Sequence, residues 1–257
     1  MFYQIKAYLK FLLKSTNQHG VHSPFVFDLV TKCFYDKTNY EEYTKIEQYR
    51  ASLLKNKNTI EITDLGVGSK TTKHSKRDIS QIAKNVSTSK RRAKLLYRLV
   101  KYFNCKNNLE LGTSLGIGTQ ALSLGNPNGN ATTIEGCPNL AKFSRENFKL
   151  HHLHNIEVIT GDFSEVLKTL KENTFDLVYF DGNHQKEATL NYFEALLSNA
   201  HNDSVFIFDD IYWSKDMTSA WEIIKQHPKV TVSIDTFYWG FIFFRKEQQK
   251  EHFTIRL

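Results

Sequence analysis

From about residue 105 the chain alternates short, continuous apolar runs with stretches of helical periodicity, and this rhythm constrains the fold more than any other feature. The runs are "NLELG", "ATTIEG", "NIEVITGD", "FDLVYFDG", "SVFIFDD", "KVTVSIDT" and "WGFIFFR"; helical stretches fall near 116–125, 138–151, 163–171, 186–200 and 215–227. A strand that is apolar at nearly every position must be covered on both faces, and helices between the strands supply the cover. The expectation is an α/β fold around a mostly parallel sheet. The last two runs are joined only by residues around Phe237 to Trp239, too few for a crossover helix. They are expected to pair as an antiparallel hairpin at the sheet edge.

The first 60 or so residues read as helical, with polar breaks at "STNQHGVHSP" and "YDKTN". Ser23 before Pro24 marks a helix start, because proline at the first helical position gives up only an amide that has no partner there. Near the N-terminus, Phe2, Ile5, Tyr8, Leu9, Leu12 and Leu13 recur at helical spacing with Lys6, Lys10 and Lys14 among them. Such a helix either packs on its own domain, the plainer reading, or lies on a membrane surface. No run approaches the roughly 20 apolar residues of a membrane span, and no signal-peptide core precedes a cleavage site. A soluble protein is expected. Three cysteines, Cys33, Cys105 and Cys137, form no C-x-x-C pair, so neither a disulfide framework nor a zinc knuckle is indicated, and a cytoplasmic location fits best.

The net charge of +7 is concentrated between Asp64 and Lys101, where eleven Lys and Arg residues face only Asp64 and Asp78. Such a stretch attracts polyanions or an anionic substrate. It has few interleaved aromatics and no nucleic-acid module, which favours a solvated basic face. The expected organisation is a helical cap over 1–62, a basic linker with helical character over 63–104, and a ligand-binding α/β domain over 105–257.

Two glycine loops compete for a nucleotide-like ligand. "LELGTSLGIGTQ" follows a strand, opens a helix, and is trailed by a second strand ending in Glu135, 25 residues after Glu110. These are the surroundings that let a backbone approach a nucleoside and an acid take its ribose hydroxyls. "TDLGVGSK" leads instead into the polar "TTKHSKRD", so Asp64 to Ser69 reads as a turn. Further acids end the later strands: Asp162 in "ITGD", Asp181 in "VYFDG", and Asp209 with Asp210 in "FIFDD". In an open parallel sheet, ligands bind beyond the carboxyl ends of the strands.

With these motifs, "LELGTSLGIGT", "TTIEG", "TGDF", "YFDGNH" and "IFDD", the segment from about 95 to 245 resembles the class I S-adenosylmethionine-dependent methyltransferases, especially the catechol and caffeoyl-coenzyme A O-methyltransferase group. The resemblance implies a Rossmann-like fold with a seven-stranded, mostly parallel sheet in the order 3-2-1-4-5-7-6, carrying an N-terminal helical extension. It places S-adenosylmethionine on Glu110, Gly112, Thr113, Ser114, Gly116, Glu135, Gly136, Asp162, Phe163 and Asp181. In metal-dependent members, an aspartate after the fourth strand and an Asp-Asn pair after the fifth hold a divalent ion. The matching positions are Asp181, Asp209 and Asp210, with aspartate where asparagine is usual. An oxygen-only set suits Mg²⁺, Mn²⁺ or Ca²⁺. The family's general-base lysine is replaced by His184, which can accept a proton near neutrality. Catalytic roles thus fall to His184 and Asp181.

The expected activity is metal-assisted O-methylation of a small, aromatic hydroxyl compound. Two alternatives are methylation of RNA or a ribosomal component through the basic segment, and a catalytically inactive, cofactor-binding assembly module. The His151, His152 and His154 cluster reads as a solvated helix end, while His19 and His22 sit where a cap could reach the substrate. Met217 and Trp221 fit helix packing as well as, with Trp213, an aromatic pocket. The aromatic "DTFYWGFIFF" reads as core before it reads as the face of a homodimer.

Overall fold

The computed structural model describes residues 2–63, 75–85 and 87–257. The turn expected over Asp64 to Ser69, and the basic residues from Lys70 to His74, lie outside them. In chain order the elements are α1 (Phe2–Lys14), α2 (Pro24–Leu29), α3 (Glu42–Lys55), β1 (Thr59–Ile62), β2 (Ser75–Asp78), α4 (Ile79–Asn85), α5 (Lys90–Phe103), β3 (Asn107–Leu111), α6 (Ile117–Gly125), β4 (Asn130–Glu135), α7 (Pro138–Leu150), β5 (Ile156–Thr160), α8 (Phe163–Thr169), β6 (Phe175–Phe180), α9 (Lys186–Leu196), β7 (Ala200–Asp209), α10 (Lys215–Gln226), β8 (Val232–Asp235), β9 (Trp239–Phe243) and β10 (Glu251–Thr254). They fall into two compact units, Lys37–Val166 and Met1–Asp36 with Leu167–Leu257. This division differs from the expected boundaries at 62 and 104, because α1 and α2 cluster with the C-terminal strands while α3 clusters with the glycine-loop half.

In the Lys37–Val166 unit, β4 pairs in parallel with β3 on one side and β5 on the other. This is the expected 3-2-1 half of the sheet. Its strands are apolar runs, and β3 is buried from Asn108 to Leu111, as a strand covered on both faces must be. The preceding helix α5 buries Ala93, Leu96 and Val100 along one stripe and turns its basic side outward. Part of that basic side is neutralised locally: Lys90 and Lys94 both reach Glu47 of α3 at 2.7 Å, and Lys94 sits 4.5 Å over the Tyr43 ring. A separate hairpin, β1 with β2, runs antiparallel.

In the other unit, β6 and β7 pair in parallel, β9 runs antiparallel between β7 and β8, and β10 lies outside β8 in parallel. The order β6-β7-β9-β8 is the expected 4-5-7-6 half. The hairpin of β8 and β9 forms as expected, but β8 is not the edge, because the C-terminal segment "EHFT" adds β10 beyond it. That strand is short, with Phe253 its one buried residue, so it carries little of the apolar pattern that marks a strand. The aromatic-rich end is core: Trp239, Phe241, Ile242 and Phe243 are all buried. A Cβ placed on Gly240 would lie 2.7 Å from the Trp221 ring, so glycine there lets α10 settle on the strand. Met217 and Trp221 are buried helix-packing residues, whereas Trp213 is exposed.

The N-terminal helices join this unit through specific contacts. Ser23 caps α2 through the Val26 amide, with Pro24 at the first turn, as the sequence predicts. Phe25 packs edge-on to Phe243 at 5.0 Å, and Phe34 packs on Phe241 at 5.0 Å. Helix α1 docks through Phe11, its one buried side chain, and through the Tyr3 hydroxyl on Thr218 at 2.7 Å. Phe2, Ile5, Tyr8, Leu9, Leu12 and Leu13 are exposed, so the reading of the whole apolar stripe as a packing face does not hold. Helix packing takes the Tyr3, Ala7 and Phe11 line instead, on the side of the helix away from Leu9 and Leu13. Among the described residues, no helix is long and apolar enough to cross a membrane.

Candidate functional site

The chain leaves β3 at Leu111 and turns through five residues before α6 begins. Three of these positions take left-handed backbone angles: Gly112 (φ 107°), Ser114 (φ 49°) and Gly116 (φ 79°). Glycine adopts such angles freely, and serine does not. Ser114 is held there from both sides, since its amide donates to Glu135 Oε2 at 2.8 Å and its carbonyl accepts from Ser144 Oγ at 2.8 Å. Gly116 has a further reason to lack a side chain. A Cβ there would stand 2.4 Å from Phe148 Cζ and 3.0 Å from the Tyr49 hydroxyl.

Glu135 ends β4 and ties the loop to the next turn. Its Oε2 takes the Ser114 amide and its Oε1 takes the Cys137 amide at 2.9 Å. A carboxylate oxygen has two acceptor directions, so the amides that fix this side chain leave it able to accept hydroxyl donors as well. This donor-accepting acid beside a loop of positive-φ glycines fits a ribose-bearing ligand.

Glu110 stands apart from this set. It is buried and accepts from the Thr119 and Thr133 hydroxyls, the latter at 2.7 Å, while Thr133 in turn bonds Thr113 Oγ1 at 2.7 Å. Burial pushes its carboxyl up to about 8, against the two threonine hydrogen bonds that favour the charged form. The structure places Glu110 and Thr113 behind the loop as a buried brace. Asp162, at the end of β5, is exposed; its Oδ1 caps α8 through the Ser164 amide at 2.9 Å, and Oδ2 has no partner among the described residues. Gly136 and Phe163 are half-buried in the same unit.

Sequence reasoning missed Tyr49. This buried α3 residue donates to the Leu115 carbonyl at 2.8 Å and stacks edge-on to His151 at 4.7 Å. Burial raises the Tyr49 hydroxyl above its ordinary range, so it remains a donor. The only signal was its place in the amphipathic pattern of α3, which says "inside" without saying against what. His151 accordingly is not a solvated terminus: half-burial lowers its pKa, while His152 and His154 are exposed.

The acids of the other unit stand at strand ends, Asp181 directly after β6 and Asp209 with Asp210 at the end of β7. Asp181 and His184 are half-buried in the loop between β6 and α9. In that loop Asn183 takes φ 51°, its Nδ2 donates to Tyr192 Oη at 3.0 Å, and its Oδ1 is buried with no partner among the described residues. Asp209, at the end of β7, is buried. Its Oδ2 accepts from Tyr179 at 3.2 Å and its Oδ1 from the Asp210 amide at 2.8 Å. Asp210 itself takes φ 53°. Among the described residues, no group of three or more His, Cys, Asp or Glu is gathered to hold a metal ion. Asp181, Asp209 and Asp210 are the residues that the resemblance assigns to a divalent ion. Asp209 thus accepts from its own turn and from Tyr179. His22 is exposed, and His19 lies in the short turn Gln18–Gly20, where Gln18 Nε2 meets its ring at 3.2 Å.

Residues 109–211 match the Methyltransf_24 family, a methyltransferase domain. The chain is similar to the catechol O-methyltransferase of Mycobacterium tuberculosis, 29% identical over 128 residues, which make up 49% of this chain and 57% of that protein. The match thus spans less than two thirds of that relative. Among solved structures, the fold is similar to that of an O-methyltransferase from Bacillus cereus in complex with S-adenosylhomocysteine, with 21% identity, 82% of this chain and 93% of that one covered, and a TM-score of 0.56. It is also similar to the S-adenosylhomocysteine-bound methyltransferase PaMTH1 of Podospora anserina, with 14% identity, 88% and 97% coverage, and a TM-score of 0.61. Over residues 109–211 the chain thus matches a methyltransferase-domain family, it is similar in sequence to a catechol O-methyltransferase, and it shares its Rossmann-like fold with S-adenosylhomocysteine-bound methyltransferases.

Proposed function

We propose that the protein methylates a hydroxyl group on a small, aromatic molecule, using S-adenosylmethionine as donor. One observation carries the reading: the loop from Gly112 to Gly116 is held in left-handed backbone by a Ser114 amide bonded to Glu135, the acid that ends the next strand. In this reading Glu135 takes the ribose hydroxyls, the loop backbone with Gly136 lies along the donor, and the free Oδ2 of Asp162 with Phe163 serves the adenine end. S-adenosylmethionine supplies an electrophilic sulfonium methyl, which passes to the hydroxyl oxygen as sulfur recovers the C–S electron pair. His184 takes the proton that the hydroxyl loses, because an imidazole is the side chain suited to accept it near neutral pH. Asp181 orients the acceptor or the donor from the same loop.

No step is routed through a divalent cation. Asp181, Asp209 and Asp210 are the residues that would hold one, and each Asp209 oxygen, with one donor from Tyr179 or the Asp210 amide, keeps a further acceptor direction. The likeness to a catechol O-methyltransferase supports a phenolic acceptor, and the cytoplasm is the compartment that three buried cysteine thiols suit.

Two measurements test the reading. Calorimetry with S-adenosylhomocysteine should show binding that Glu135→Ala weakens by roughly a hundredfold, the worth of hydrogen bonds to a charged group. Labelled methyl donor with a panel of phenols should show transfer, and the same assay with chelator reads whether a divalent cation takes part. A folded protein that ignores the nucleoside overturns the donor assignment; donor binding without transfer to any phenol overturns the acceptor class; transfer abolished by chelator assigns a cation to the reaction.

A further inference from the structure

Helix α1 carries two apolar faces. One docks on its own unit through Tyr3, Ala7 and Phe11. The other, formed by Phe2, Ile5, Leu9 and Leu13, follows helical spacing on the opposite side and faces solvent: Phe2 is 92% exposed, Leu9 58% and Leu13 89%. A monomeric protein seldom leaves such a stripe bare without a use. Beside it lie two more exposed aromatics of the same unit, Trp213 at 57% and Tyr238 at 54%. Gln4 of α1 donates to the Trp213 carbonyl at 3.3 Å, and Tyr8 packs at 4.8 Å on Phe237, the residue before Tyr238.

The flank of this stripe is basic. Lys6, Lys10 and Lys14 follow one another along the helix and, with Lys215, line a groove of about 460 Å³. None of these four ammonium groups has an acidic partner among the described residues. The two acids in the groove are already engaged: Glu222 by Lys225 at 2.7 Å, and Asp235 by the Tyr212 hydroxyl at 2.6 Å and the Phe237 amide at 2.8 Å.

We infer that α1 is a membrane-surface helix that seats the protein on bilayers containing anionic lipid. The apolar stripe enters the acyl boundary, the lysine row meets lipid phosphates, and Trp213 and Tyr238 sit at headgroup level, where amphipathic rings are favoured. Thirteen residues make a helix of about 20 Å, short of the roughly 30 Å hydrocarbon core, so it lies in the surface and does not cross. Charge decides between this occupant and a second copy of the chain. Two copies joined by the stripe would bring two unpaired lysine rows together, whereas an anionic surface neutralises them. The inference is independent of the proposed reaction.

Vesicle co-sedimentation of the full chain tests it. The protein should pellet with phosphatidylglycerol-containing vesicles and stay in solution with pure phosphatidylcholine, and added salt should weaken the binding. The double variants Leu9→Ser with Leu13→Ser, and Lys6→Gln with Lys10→Gln, should each bind at least about tenfold more weakly. Both change exposed positions, so their melting curves should match the parent. Failure to bind anionic vesicles, or undiminished binding by either variant, overturns the inference. A dimer in sedimentation equilibrium that the leucine variant converts to monomer overturns it in favour of self-association.

Discussion

Gly116 concentrates the constraints on the donor loop in one residue. It sits at φ 79° and any side chain would collide with Phe148, so Gly116→Ala should cost about 1–3 kcal/mol of stability. It should also reduce S-adenosylhomocysteine affinity at least about tenfold, read by calorimetry beside a thermal melt. Glu110 offers a test through pH. Its carboxyl is raised from 4.5 to about 8 by burial, so the native state prefers it protonated. The favourable contribution is complete below about pH 4.5 and is lost as pH rises through about 8. The melting temperature of the ligand-free protein should therefore fall over that range, and Glu110→Gln should flatten the fall, because the threonine hydroxyls can accept from an amide. The glycines and Glu135 were legible as sequence because a strand, a loop and a second strand surround them. Glu110 read as part of the same motif, and its role as a buried brace was not legible, since which side of a strand end meets threonines depends on neighbouring strands.

At the scale of elements, the helix start read at Ser23 and Pro24 forms as expected, whereas the cap at Ser214 was not read. Ser214 opens α10 by accepting the Met217 amide at 3.1 Å, and this helix carries Trp221 onto the glycine of β9. Ser214→Ala should lower stability by about 1 kcal/mol in chemical denaturation, with little change in the slope against denaturant. Strand positions were legible wherever the run was apolar throughout, as in β6, β7 and β9. Two elements show the limit of pattern reading. β10 offers one buried residue and was passed over. α1 offers an apolar stripe that periodicity assigns to packing, yet the helix docks by its other face, because amphipathic pattern measures composition around a helix and not what stands opposite.

For the molecule as a whole, ligand linkage gives the broadest check. A nucleoside held by the Gly112 to Gly116 loop should stabilise the folded state by about 2.7 kcal/mol at a hundred times its dissociation constant. A melt with S-adenosylhomocysteine at that concentration should therefore shift upward, and Glu135→Ala should remove most of the shift, leaving about 0.4 kcal/mol. The alternation of apolar runs and helices is enough by itself to determine an α/β chain with acids at its strand ends, because strand length, helix period and turn chemistry are local properties. Tertiary structure alone decided the rest: that Tyr49 locks Leu115, that Asp209 folds back onto Tyr179, and that the bare side of α1 faces solvent. Each is set by a partner distant in sequence, and a local pattern holds no information about which distant group will stand within hydrogen-bonding or packing distance.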